Sequence, residues 1–344
     1  MCCVATDMNL RPGGRVAAIA ELESPKPAAV VGRTMDTGSR PIERFDGGFD
    51  LQATVESGQS YLWRRADGRM YERTDAAGGD ARYRLALPST ATETNEPEVI
   101  RLRQVDGLLE WEALTPNAYD RLVELLRLDD DLDSIVATTP DDDLLETAYD
   151  AFRGMRLVRD PPFPSLVSFI CSAQMRVGRI HGMQVSLAER YGETVTFDGE
   201  TYHAFPTPER LAAASEADLR ELSLGYRAPY VQRTAEMVAG GEAHPAEARG
   251  RGYEAAREYL TQFVGVGQKV ADCVLLFSLG YLQAVPLDTW IRTAIEEHYP
   301  DCERGNYEET SRAIRERFGG EYAGYTDVRV PLPPRILILI AVSH

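Results

Sequence analysis

The stretch from Tyr253 to Trp290 constrains this chain more than any other. A helical pattern runs to Phe263, breaks at Val264-Gly265-Val266-Gly267 and resumes at Gln268-Lys269. Pro286 ends this second helical stretch, and Asp288 stands 19 residues after Lys269. Two helices joined by so short a turn fold back on each other. Glycines at 265 and 267 supply backbone angles closed to residues with side chains. The second helix then opens with free N–H groups, a phosphate-binding geometry. Only two lysines occur in 344 residues, Lys26 and Lys269, against 35 arginines. An amine can attack an electrophilic carbon and form a Schiff base, whereas a guanidinium, always protonated, cannot. Read alone, the turn is equally an ordinary helix–helix connection and the lysine a solvated residue at a helix start.

Length allows one large or two modest domains. No apolar run approaches the ~20 residues of a membrane span. Cys2, Cys3, Cys171, Cys273 and Cys302 give neither a disulfide framework nor a four-cysteine metal spacing. The default compartment is therefore the cytoplasm, and the chain is expected to act as a monomer. The net charge of −17 runs against nucleic-acid binding by bulk charge. Together with the scarcity of lysine it points to a halophilic proteome, in which contacts to phosphates rest on focused arginines and backbone amides.

The fold class expected is α+β: a small antiparallel β-rich N-terminal domain, then a mostly helical domain. Residues 1–44 read as an unstructured or spurious leader, with Met35 as an alternative start. Residues 45–140 form the β-rich domain, from the alternations Phe49-Leu51-Ala53-Val55, Tyr83-Leu85-Leu87 and Val99–Val105 separated by Gly/Asp turns. Residues 141–325 form the helical domain, with the hairpin at 253–280. Thr115-Pro116 and Thr139-Pro140 read as helix starts with proline at the first helical position. Ser215-x-x-Asp218 reads as a capping box. Residues 240–252 are a polar loop, and 326–344 an atypical tail containing Pro331, Pro333, Pro334 and the apolar run Ile336–Val342.

The hairpin with its lysine and its proline-preceded aspartate resembles the helix-hairpin-helix signature of base-excision DNA glycosylases. Six segments stand in collinear order between about Phe49 and about Tyr325: Glu56–Trp63, Phe152–Pro161, Ser168–Met183, Thr201–Pro206, Leu222–Val231 and the hairpin itself. Over that span the chain is similar to 8-oxoguanine DNA glycosylase of the bifunctional, AP-lyase type. The resemblance implies an enzyme acting on double-stranded DNA that contains oxidised guanine. No cofactor and no catalytic metal is implied.

Residue roles are implied by the resemblance. Lys269 is the implied nucleophile. At the start of an apolar helix its pKa is expected to fall below the ordinary ~10.4, through burial and the helix dipole. Asp288 is the implied partner carboxylate, and is also well placed as an N-cap. Gly58 sits where the family offers a backbone carbonyl to the extra N7–H of the lesion. It reads equally as a turn glycine. Cys273 and Phe277 lie one and two turns past Lys269 and match the walls of the base pocket, though as isolated residues they read as core. Gln174, Arg179, Tyr226 and Arg227 match residues that fill the gap and read the opposite base. Gly265, Gly267 and Val270 match the hairpin's phosphate contacts. The chain departs from the family at Phe263-Val264, at Gln174-Met175-Arg176, at Trp290 and after Tyr325. Two other readings remain open: a monofunctional glycosylase for alkylated bases that activates water, and a catalytically impaired helix-hairpin-helix DNA-binding module.

Overall fold

Two Asp-Gly pairs shape the β-structure. Asp106 and Gly107 both have positive φ, as do Asp198 and Gly199. This is the backbone a two-residue hairpin needs to match strand twist. The first joins β4 (Glu98–Val105) to β5 (Leu108–Ala113), and the second joins β6 (Thr194–Phe197) to β7 (Glu200–His203). The computed structural model describes residues 35–74, 76–115 and 117–329. With β1 (Asp36–Pro41), β2 (Arg64–Arg65) and β3 (Arg82–Leu87), the first hairpin forms an antiparallel five-stranded sheet in the order β1-β5-β4-β3-β2. Tyr83, Leu85 and Leu87 on β3 face a core shared with Trp63, Leu102 and Trp111 and with Leu122 and Leu126 of helix α2.

The helices described are α1 (Leu51–Val55), α2 (Ala118–Leu126), α3 (Leu132–Ala137), α4 (Asp143–Ala151), α5 (Pro162–Cys171), α6 (Val177–Tyr191), α7 (Pro208–Ala212), α8 (Glu216–Leu219), α9 (Ala228–Ala239), α10 (Tyr253–Leu260), α11 (Gln268–Val274), α12 (Thr289–His298), α13 (Tyr307–Arg317) and α14 (Ala323–Asp327). Helix α5 is buried along almost its whole length and forms the centre of the helical body. Val285, Leu287, Ile291, Ile295, Ile314 and Phe318 form a second apolar cluster under α12 and α13. Arg156, fully buried, ties the two parts together. Its guanidinium donates to the carbonyls of Arg127, Asp130 and Asp46 at 2.7 Å each, and to Gly48 at 3.0 Å. Among the described residues no helix is long and apolar enough to cross a membrane.

Several local expectations are corrected. Residues 51–55 are helical, not a strand. Asp50 caps them by accepting from the Ala53 N–H at 2.8 Å, and Leu51, Gln52, Thr54 and Val55 are all buried, so an alternation of four apolar residues was too short to fix the period. Residues 36–41, placed in the leader, form β1 against β5. The strand was invisible because Gly38, not an apolar residue, lies against the Trp111 ring. Helix α2 follows Asn117, and Pro116 lies outside the described residues. Helix α4 is capped by Asp142, whose carboxylate accepts from Leu144 and Leu145, so it starts three residues later than Thr139-Pro140 implied. Ser215 does cap α8, accepting from the Asp218 N–H. The β6–β7 hairpin was not anticipated. Chain assigned to the tail continues the body: Thr326, Asp327 and Arg329 are buried, and the Arg329 guanidinium donates to the Met155 and Tyr325 carbonyls. The three prolines at 331–334, the apolar run after them and residues 1–34 lie outside the described residues.

Candidate active site

The turn between α10 and α11 is set by Gly265. Its φ is +83°, and an added Cβ would stand 2.7 Å from a ring carbon of Tyr230. Both the backbone angle and the space require glycine. Gly267 differs from expectation. Its φ is −93° with ψ near 180°, an extended conformation open to any residue, and it serves as the residue capping α11. Phe263 and Val266 bury their side chains under the turn, while Val264 is exposed. Helix α11 then opens with Gln268, Lys269 and Val270, whose N–H groups precede the first intrahelical bond, Ala271 N–H to the Gly267 carbonyl at 2.9 Å. The side chain of Val270 belongs to the core.

Lys269 is half-buried, and its surroundings are aromatic and acidic together. The Nζ donates to Ser172 Oγ at 3.4 Å and lies 5.8 Å from the centroid of the Phe169 ring. Ser172 and Phe169 come from the end of α5. The expectation of a lowered amine pKa is overturned. Burial does oppose the charge, but Cys273, Asp288 and Asp327 beside it favour the ammonium, and the net result is a pKa above the ordinary lysine value. Cys273 itself is fully buried, which pushes its thiol up to about 12, so at neutral pH it acts on the amine through the hydrogen bond between them and not as a charge.

Asp288 begins α12. One carboxylate oxygen accepts from the Trp290 N–H at 2.8 Å and from the Ile291 N–H at 2.9 Å. The capping geometry read from the sequence is therefore present. It fixes the carboxylate where its charge reaches Lys269, Tyr61 and Asp327.

Aromatic rings pack beside the amine. The Phe169 ring stacks on Phe277 at 5.6 Å and meets Tyr61 edge-on at 6.0 Å. Cys273 and Phe277 are buried in the core of the helical body, and α11 passes into a π-helical turn over Leu275–Leu279 that carries Phe277. Such turns re-aim side chains within a helix. Gly58 has φ +87°, with Val177 of α6 and the Tyr61 hydroxyl the nearest groups to an added Cβ.

Gln174, Arg179 and Tyr226 are exposed. Gln174 takes a left-handed conformation in the turn after α5, and Arg179 lies in the first turn of α6. Arg227 does not project with them. It is buried, donates to the Ala173 carbonyl and holds its guanidinium 4.3 Å from the Tyr226 ring centroid. It thus braces the Gln174 turn against Tyr226. Exposed Tyr226 lies 6.2 Å from Tyr230, the ring that packs on Gly265, so Tyr226 borders the hairpin. Exposed Trp290 sits two residues past Asp288.

Ser172, Phe169, Tyr61 and Asp327 were not anticipated from the sequence. Three of these lie in segments already singled out, and nothing in their residue types marked them. Asp327 falls in the stretch assigned to the tail. Its Oδ1 is buried without a hydrogen-bond partner, and burial, then Asp288 and Asp272, hold its carboxyl well above the usual range.

The chain has relatives of known family and fold. Residues 167–319 match the HhH-GPD superfamily base excision DNA repair protein family. The chain is 30% identical over 304 residues to a probable N-glycosylase/DNA lyase of Methanothermobacter thermautotrophicus, spanning 82% of this chain and 92% of that one. It is 31% identical over 267 residues to the N-glycosylase/DNA lyase of Saccharomyces cerevisiae, spanning 72% and 68%. The 8-oxoguanine glycosylase/lyase of Clostridium acetobutylicum has a similar fold, with a TM-score of 0.71 and 25% identity over 86% of this chain and 97% of that one. That protein is also solved with dsDNA containing cytosine opposite 8-oxoG, at a TM-score of 0.69 and 26% identity over 82% of this chain and 90% of that one. The antiparallel N-terminal sheet, the helical body and the glycine hairpin carrying Lys269 thus sit within one lineage, and the chain belongs to the HhH-GPD superfamily of base excision DNA repair proteins.

Proposed function

We propose that this chain is a bifunctional DNA glycosylase and AP lyase that removes 8-oxoguanine from double-stranded DNA in base-excision repair. The observation that carries it is the placement of the Lys269 amine, at the start of the hairpin's second helix, within the field of the capped Asp288 carboxylate. The N-glycosylase/DNA lyase relatives support it.

In this reading the damaged nucleotide turns out of the duplex toward Lys269. Cys273 and Phe277 flank the base, and the Gly58 carbonyl meets its N7–H. Gly265, Gly267 and the first-turn amides of α11 hold a backbone phosphate. Gln174, Arg179 and Tyr226 occupy the gap left behind, and Arg227 supports them. Lys269 must give up a proton before it can attack, because its neighbours hold it as an ammonium. Asp288 receives that proton or stabilises the cationic sugar as the base leaves. Attack on C1′ displaces the base, and the resulting Schiff base permits β-elimination on the 3′ side.

The test is a single-turnover assay on a duplex with one 8-oxoguanine, scored separately for base release and strand cleavage. Both products are expected, with a covalent adduct trapped by borohydride. Base release without any adduct would mean that water, not the amine, is the nucleophile.

A further inference from the structure

One phenol ties the helix of Lys269 to the loop of Asp288. We propose that Tyr307, with Asp272 as its partner, is a positioning residue that fixes the Asp288 carboxylate relative to the Lys269 amine. The proposal rests on the roles given to those two residues above.

Asp272 follows Lys269 by three residues on α11 and is completely buried. Its Oδ1 accepts from the Tyr253 hydroxyl at 2.7 Å and its Oδ2 from the Tyr307 hydroxyl at 2.8 Å. The same Tyr307 oxygen accepts the Leu287 N–H at 3.2 Å. Leu287 is the residue immediately before Asp288, so two hydrogen bonds in series run from the nucleophile's helix to the carboxylate's loop. The phenol itself is anchored on the first residue of α13.

The loop has few other constraints. Residues 285–288 belong to no helix or strand, and Pro286 has no N–H to contribute. Val285 and Leu287 hold the loop by apolar contact, which is not directional. The Asp288 cap ties the end of this loop to α12, and the Leu287 N–H is the directional link from it toward α13 and, through Asp272, to α11. Removing its acceptor leaves a buried donor unpaired, a costly state. The charged groups around the bridge come from three helices. Arg257 stands 3.8 Å from Asp272 Oδ2 and 5.8 Å from the Tyr307 ring centroid. Arg292 lies 5.8 Å from the same ring centroid, and Arg315 packs on Tyr253 while pairing with Glu254. Burial pushes the Asp272 carboxyl up to about 6, and the Tyr253 hydroxyl, Arg257, the Tyr307 hydroxyl and Arg315 oppose that rise.

Tyr307→Phe removes only the hydroxyl. If the phenol merely knits the hairpin to α13, the variant melts earlier but excises the base at an unchanged rate once folded. Under the proposal, single-turnover excision of 8-oxoguanine at saturating enzyme falls about 10-fold or more, because small misplacements of reacting groups are strongly felt. Duplex affinity stays within about threefold of wild type. Cleavage of a preformed abasic site falls less, since no base has to leave there. Should Tyr307→Phe fail to fold, Asp272→Asn carries the same test, with the same split expected between excision and abasic-site cleavage. A folded variant that excises within twofold of wild type overturns the positioning role. A wild-type protein that forms no borohydride-trapped adduct contradicts the underlying reaction instead, and the two failures are read from different samples.

Discussion

Lys269 Nζ meets Ser172 Oγ at 3.4 Å, a contact that joins the hairpin to the end of α5 across 97 residues of sequence. The same hydroxyl donates to the Phe169 carbonyl at 2.8 Å, so it is oriented by its own helix and presents an acceptor to the ammonium. The amine also lies 5.8 Å from the Phe169 ring centroid.

Ser172→Ala should leave the fold intact, because the lost Phe169 contact is a local one at a helix end. The contact to Lys269 is long, so its removal should slow single-turnover strand cleavage by roughly 3- to 10-fold, the scale of about 1 kcal/mol. A rate unchanged in stopped-time assays would show that the hydroxyl does not orient the amine.

Asp288→Asn separates capping from chemistry. Asparagine caps about as well as aspartate, so the melting temperature should stay within a few degrees. The amide carries no charge to steady the sugar or take a proton. Base excision should slow by ~10²-fold or more. Unchanged excision, measured beside an unchanged melting curve, would leave Asp288 with the cap alone.

How much of this was legible beforehand depends on what each residue needed. Gly265 was readable because a left-handed backbone and a close ring both demand glycine. Gly267, in the same motif, needs neither. Lys269 and Asp288 stood out by spacing, but the direction of the lysine's pKa did not, since besides Cys273 one turn further on it depends on Asp288 and Asp327, which folding brings to the amine. Asp327 was lost with the tail because Pro331 comes so soon after it. The strand at 36–41 was hidden because an edge strand padded by Gly38 carries no apolar alternation, and the misread helix at 51–55 was too short for a period to emerge.

Asp160 gives a pH signature of the body itself. It is buried beside the π-helical turn, where its N–H donates to the Phe277 carbonyl at 2.8 Å. Burial pushes its carboxyl up to about 7, against a smaller opposing hydrogen bond from Ser60. The folded state thus holds a proton that the unfolded chain releases near pH ~4. Stability associated with the protonated form is full below that value and is lost as pH rises through about 7. Asp160→Asn removes the titration, and its advantage in stability over wild type should grow by roughly 2 kcal/mol between about pH 5.5 and 8. Denaturant melts at the two pH values check this; an advantage independent of pH would mean that Asp160 titrates normally.

The chemistry stands or falls on the amine at position 269. Wild-type protein and Lys269→Gln should be mixed with an 8-oxoguanine duplex in the presence of borohydride, and the covalent protein–DNA adduct measured. The wild type should trap in good yield. The variant should yield no adduct and no strand cleavage while binding the duplex within about tenfold of wild type. An adduct formed by Lys269→Gln would show that another amine does the chemistry.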